Sequence, residues 1–117
     1  MAAVDDVRLL IADVDPDAQL FTDDQLVSFL RLSGGGEERW TVRRAAAEAL
    51  DTIAVSEVLV GKVISSQDLS TDGAKVSAEL RARAAALRQR ADREEDQDDA
   101  ERSGGVEVIE FSPWRVP

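Results

Sequence analysis

Between Val42 and Ile64 the chain runs through its longest apolar stretch, closed by the turn Gln67, Asp68, Leu69, Ser70, Thr71, Asp72, Gly73. At 100° per residue, Arg44, Glu48, Asp51, Val55, Val58 and Lys62 fall near one line, as a 3.6-residue period requires. That line is the expected outward stripe of a long helix. The rest of the circumference is mostly Ala45, Ala46, Ala47, Ala49, Leu50, Ile53, Ala54, Leu59, Val60, Val63 and Ile64, a wider apolar face than a helix lying on a surface needs. Such a helix packs on more than one side. Two valines, Val55 and Val58, stand where water is expected, which marks them as candidate protein-interface residues. The fold class expected is all-α: a small bundle of about four helices around a long central helix, followed by an extended C-terminal arm.

A chain of 117 residues with 44% hydrophobic residues fits one domain with a real but modest core. It contains neither cysteine nor histidine. The first absence excludes disulfides and thiolate metal sites, and the second removes the commonest general base and metal ligand. The beginning, with Asp5 and Asp6 beside Val4 and Val7, lacks the pattern of a signal peptide, and charges interrupt the central run too often for a bilayer span. The expectation is a soluble protein, cytoplasmic when made, with no membrane partner.

Around the central run the other helices follow in order. Val4, Val7, Leu10 and Ile11 recur at helical spacing within Val4 to Ala12, with Asp5 and Asp6 in the first turn where the helix dipole favours them. Pro16 makes Asp13 to Phe21 a loop. Thr22 with Gln25 is a capping-box pattern, Leu26, Phe29 and Leu30 form the buried side of a second helix, and Gly34, Gly35 and Gly36 end it. The central helix starts at Thr41 as N-cap or one turn earlier at Glu37 and Glu38. After the 67–73 turn, a last helix has Val76, Leu80, Ala84, Leu87 and Ala91 as its inner stripe, with Arg81, Arg83, Arg88 and Arg90 to either side.

From Glu94 to Arg102 apolar residues almost vanish, so that the helix either continues as a solvated extension, helped by pairs such as Arg90 with Glu94, or frays. Ser103, Gly104 and Gly105 form a hinge, and Val106 to Phe111 alternates in part like a strand before Ser112, Pro113, Trp114, Arg115, Val116 and Pro117. One strand cannot pair with itself. Val108, Ile109, Phe111, Trp114 and Arg115 are therefore read as interface residues of an arm that docks on another chain, by sheet addition or by seating aromatics in pockets, the alternative being a tail that folds back on its own helices. The division expected is 1–93 as a helical body, 94–105 as acidic extension and hinge, and 106–117 as docking arm.

Net charge is −10, distributed as −5 over residues 1–36, −2 over 37–71, +3 over 72–93, −5 over 94–102 and −1 beyond. Such a balance opposes a stable grip on nucleic acid, whose non-specific affinity comes from Lys and Arg neutralising phosphates. It suits a surface that DNA passes without sticking, or acidic faces that simply keep a small protein soluble.

Few residues carry chemistry. Asp13, Asp15, Asp17 and Asp24 match part of a helix-loop-helix calcium loop, but the required glycine is Ala18, Pro16 interrupts the ligands and Asp24 replaces the closing glutamate. An acidic loop capping the second helix is the simpler reading. Glu48 and Asp51 share a stripe with Arg44 and Lys62, as on a solvated face or an interface, and Glu57 fits a boundary position or a pair with an arginine of the last helix. The glycine run 34–36 lacks the lysine and hydroxyl of a phosphate loop. No catalytic, cofactor or metal residue is assigned, and the expectation is a non-enzyme.

The order of features resembles the small head-to-tail connector, or adaptor, proteins of long-tailed bacteriophages, especially those of actinobacterial hosts. The resemblance is carried by Asp13, Val14, Asp15, Pro16, Asp17 with Phe21, Thr22, Asp23, Asp24, Gln25, Leu26, by Arg44 to Asp51 with Ile53 and Ala54, by Gly61 to Ile64, and by the Gln67 to Gly73 turn. It covers about residues 7–91. What it implies is a ring of subunits, a dodecamer, in the virion neck, bound beneath the portal protein and followed by the next neck or tail-completion protein, with viral DNA passing through unbound. Assigning the arm to portal docking comes from composition, since that segment varies in such proteins. Two other classes remain: a small acidic protein-binding module or regulator, and a nucleic-acid binder using Arg81 to Arg93, against which the net charge weighs.

Overall fold

The computed structural model describes residues 2–66 and 72–102. These residues form five α-helices: α1 (Ala2–Leu10), α2 (Asp23–Leu32), α3 (Arg39–Ala54), α4 (Glu57–Ser66) and α5 (Gly73–Arg102). The all-helical class expected from periodicity holds among the described residues. The long central helix does not: its apolar run is cut into α3 and α4 at Val55 and Ser56. Ser56 supplies the reason. Its hydroxyl accepts from the Leu59 amide at 3.2 Å and its carbonyl from the Val60 amide at 2.9 Å, so it caps α4, while its own amide turns back to the Ile53 carbonyl. The longest element is instead α5, 30 residues.

Helix α3 is the hub. It packs on each of the other four helices, most extensively on α5. Ala45, Ala46, Ala47, Ala49, Leu50 and Ile53 are buried, joined by Val4, Val7 and Ile11 from the α1 end, Leu26 and Leu30 from α2, Val60 and Val63 from α4, and Val76, Ala84 and Leu87 from α5. The alanine face gives α3 a slim profile on which neighbours can approach closely. The inner stripe expected for α5 is the buried one, with Leu80 only partly covered.

Local signals explain most helix ends. Thr22 Oγ1 accepts from the Gln25 amide while Gln25 Oε1 accepts from the Thr22 amide, the reciprocal box that the spacing predicts. Phe21, just before this cap, meets Phe29 edge-to-face at 5.2 Å. Gly34 and Gly35 close α2 at φ +125° and +81°, where a Cβ would be strained. Asp72 caps α5 through the Lys75 amide, and α3 begins after Glu38, the earlier of the two starts. Ala12, at φ +60°, closes α1 in the left-handed region usually left to glycine, and Asp13 then donates its amide to the Arg8 carbonyl at 2.8 Å. Helix α1 itself spans Ala2–Leu10, two residues earlier than the spacing predicts.

The acidic stretch from Glu94 continues α5 to Arg102 rather than fraying. The hinge and arm, 103–117, and most of the turn, 67–71, lie outside the described residues.

Candidate interaction surface

The break between α3 and α4 turns the chain and leaves two apolar side chains on the outside of the corner. Val55 and Val58 are 73% and 71% exposed, as the outward stripe predicts. Beside them opens a cleft of about 370 Å³ between the end of α3, α4 and the start of α5. Its lining runs from Ala54 and Val55 across Val60, Gly61 and Ile64 to Gly73, Ala74 and Ser77, with Glu57 the one charged member. Gly61 leaves open space where a Cβ would stand. Small residues thus hollow the cleft while Val55 stands exposed at its edge and Val60 is buried in its wall, an arrangement able to seat a large apolar side chain. Ser77 Oγ donates to the Ala54 carbonyl at 3.0 Å, tying the first turns of α5 to the carbonyl left over at the end of α3.

Arg44, Glu48 and Asp51 of the expected outward stripe are partly exposed and pair with α5. Arg44 reaches Asp92 at 2.7 Å and Glu95 at 2.8 Å. Arg43 donates from Nε to Glu94 at 2.7 Å, and Arg39 stands 3.8 Å from the same carboxylate. At the other end of the ladder Arg88 lies 2.7 Å from Asp51 and 3.3 Å from Glu48. The order of signs along α3, basic then acidic, matches acidic then basic along antiparallel α5. Hydrogen bonds from Asp92 and then Glu95 raise the Arg44 pKa above its ordinary value. For Glu94, burial pushes the carboxyl pKa up, but the Arg43 bond and the charges of Arg43, Arg39 and Arg90 outweigh it and the net shift is down. The expected Arg90 to Glu94 pair exists at 4.0 Å as the weaker partner of a carboxylate already engaged across the interface.

Glu48 and Asp51, the carboxylate pair considered for hydrolysis, are therefore committed to Arg88. Glu57 is exposed in the first turn of α4. Asp13, first of the calcium-loop residues, is buried and spends both oxygens internally. Oδ1 accepts from the Leu20 amide, and Oδ2 from the Phe21 amide at 3.3 Å and from Arg8 at 2.9 Å. It organises the loop that leads into α2, and Arg8 extends the link to Asp23 at 2.7 Å. Among the described residues no group of three or more acidic side chains is arranged to hold a metal ion, and no helix is long and apolar enough to cross a membrane.

Of the seven interface residues read from sequence, Val55 and Val58 stand together at the corner; Val108, Ile109, Phe111, Trp114 and Arg115 lie outside the described residues. Sequence reasoning missed the cleft itself. Its signals, Ser56 followed by Glu57 within an apolar run and Gly61 on the next turn, mark a helix start and a bare surface. Of the other exposed apolar side chains, Leu9 borders a second groove with Leu10 and Val42, and Leu32 borders a charged one with Arg44, Glu48, Arg88 and Asp92. Comparison with family models, curated proteins and solved structures gave no match.

Proposed function

We propose that the protein is a structural ring subunit of a bacteriophage neck, a head-to-tail connector that joins the portal to the tail and turns over no ligand. The observation that carries this reading is the α3–α4 corner, where Val55 and Val58 stand exposed beside an open apolar cleft that a monomer has no need to keep. A ring of identical subunits uses two different surfaces per protomer in head-to-tail contact. The corner supplies part of one of them. Exposed Asp5, Asp6, Asp15, Asp17, Asp23 and Asp24 collect on the N-terminal third, and such a surface repels phosphate if it lines the channel.

In this reading the subunits form a dodecamer at the head-tail junction, assembled in the host cytoplasm, with the next neck or tail-completion protein below. DNA passes without specific binding. The test is the mass of the protein by light scattering, alone and mixed with intact portal from the same genome. Association in a stoichiometry that matches the portal ring is expected. No association would sink the connector reading and leave a small acidic binding module, which the same exposed corner equally serves.

A further inference from the structure

The arm and the corner cleft sit at opposite ends of one helix. Gly73, Ala74 and Ser77 line the cleft from the first turns of α5, whereas 103–117 begin after its last residue, Arg102. At 1.5 Å per residue, the 25 residues from Ser77 to Arg102 span about 38 Å of helix axis. An extended chain covers at most about 3.6 Å per residue. Ile109, seven residues past Arg102, then reaches about 25 Å and Phe111, nine residues past it, about 32 Å. Both backbones stop short of their own cleft. Trp114, at twelve residues, arrives only with the chain drawn taut along the whole body, a geometry that leaves no conformational freedom.

We propose that the cleft at the α3–α4 corner is the receptor for segment 106–117 of a second copy of this chain. The cleft is apolar, and its bare floor at Gly61 has room for an aromatic anchor. The charges are complementary. Lys62 and Lys75 follow the lining residues Gly61 and Ala74 and are exposed, with Glu57 on the lining itself, while the arm carries Glu107 and Glu110 and then Arg115 directly after Trp114. A second groove lies within easy reach of its own arm, lined by Leu9, Leu10 and Val42, but Asp6, Glu37, Arg39 and Arg43 make up the rest of its wall. That groove is smaller, about 210 Å³ against about 370 Å³ at the corner, and has less room for an aromatic anchor. Because each copy offers an arm at one end and a receptor at the other, docking leaves a free arm and a free receptor at every step. The contact is heterologous, and it propagates until the ring closes. This deepens the ring reading above and rests on it.

The absence of native cysteine gives a clean test on the full chain. The double variant Ala74→Cys with Val116→Cys is treated with a short bismaleimide, alone and with intact portal, and resolved under denaturing conditions. A ladder of covalent dimers, trimers and higher species is expected in at least one of the two conditions. Adding Phe111→Ala and Trp114→Ala, which leave the helical body untouched, should reduce the ladder about tenfold or more. No ladder in either condition overturns the proposal, as does a ladder indifferent to the two aromatic substitutions. A monomer closed on itself in the companion variant Leu9→Cys with Val116→Cys, at higher yield than the ladder, overturns it in favour of the arm's own groove. A ladder without portal association would instead keep this contact and remove the connector reading.

Discussion

Arg8 with Asp13 and Arg88 with Glu48 and Asp51 are arginine–carboxylate contacts of similar length, 2.9 Å for the first and 2.7 Å at best for the second. Their surroundings differ. The Arg8 and Asp13 side chains are 10% and 1% exposed, and those of Arg88 and Glu48 are 40% and 49%. Asp13 also takes two backbone amides, so removing it leaves those two donors without an acceptor and the buried guanidinium with only the exposed Asp23. Removing Arg88 returns two carboxylates to solvent that already reaches them. Burial, not distance, separates a contact the fold requires from one that adjusts it. The ladder between α3 and α5 grades from one kind to the other, with the Arg43 to Glu94 pair in between.

The largest expected effect belongs to the buried end. Asp13→Ala should cost about 2–4 kcal/mol in urea denaturation, because it leaves two loop amides without their acceptor and Arg8 with only the exposed Asp23; a loss under 1 kcal/mol would mean that water already serves those donors. Next comes Glu94→Gln, for which about 1–2 kcal/mol is expected. Hydrogen exchange should then quicken over residues 92–102 of α5 and stay slow around Ala84 and Leu87. Uniform quickening would erase the distinction between the two halves of that helix.

Acid probes the same residue. Its folded pKa lies below the ordinary value, so its contribution is complete above the usual carboxylate range and is lost as pH falls through the lowered value. A pH titration of stability that stays flat below about pH 4.5 in the native chain, and does not differ in Glu94→Gln, would contradict this. Ala12→Gly relieves the left-handed backbone beside Asp13 and should gain about 0.5–1 kcal/mol, read as a higher Tm. It leaves the contrast between the two ion-pair sites unchanged. Smallest is Arg88→Ala, at about 0.5 kcal/mol and vanishing in high salt; a larger loss would show that the exposed end of the ladder is more desolvated than its surface area indicates.

Legibility in the sequence followed the range of the signal. The Thr22 and Gln25 box, the glycine stop after α2 and the buried stripe of α5 are encoded within a few residues and were readable there. The break at Ser56 was not, because the 3.6-residue period of apolar side chains runs through it undisturbed, and only a serine followed by a glutamate marks the new start. Periodicity also identified the stripe of Arg44, Glu48 and Asp51 but not what covers it. Its partners, Arg88, Asp92 and Glu95, lie about forty to fifty residues away in the chain. Asp13 illustrates a third limit: its spacing to Asp15 and Asp17 imitates a cation loop, while its actual ligands are an arginine behind it and amides ahead, which no residue-type pattern records. The cleft is a void, and a sequence lists only what fills space.

Helix α5 is fastened to α3 near both ends, by Ser77 on the Ala54 carbonyl and by Glu94 on Arg43. A tension applied beyond Arg102 along the axis of α5 therefore loads the pair in shear, with ladder and packed alanines resisting together. The same tension applied outward peels the helix from its distal end, where Glu94 and Glu95 give way before any buried side chain moves. One subunit is thus stiff to a pull in one direction and compliant in another.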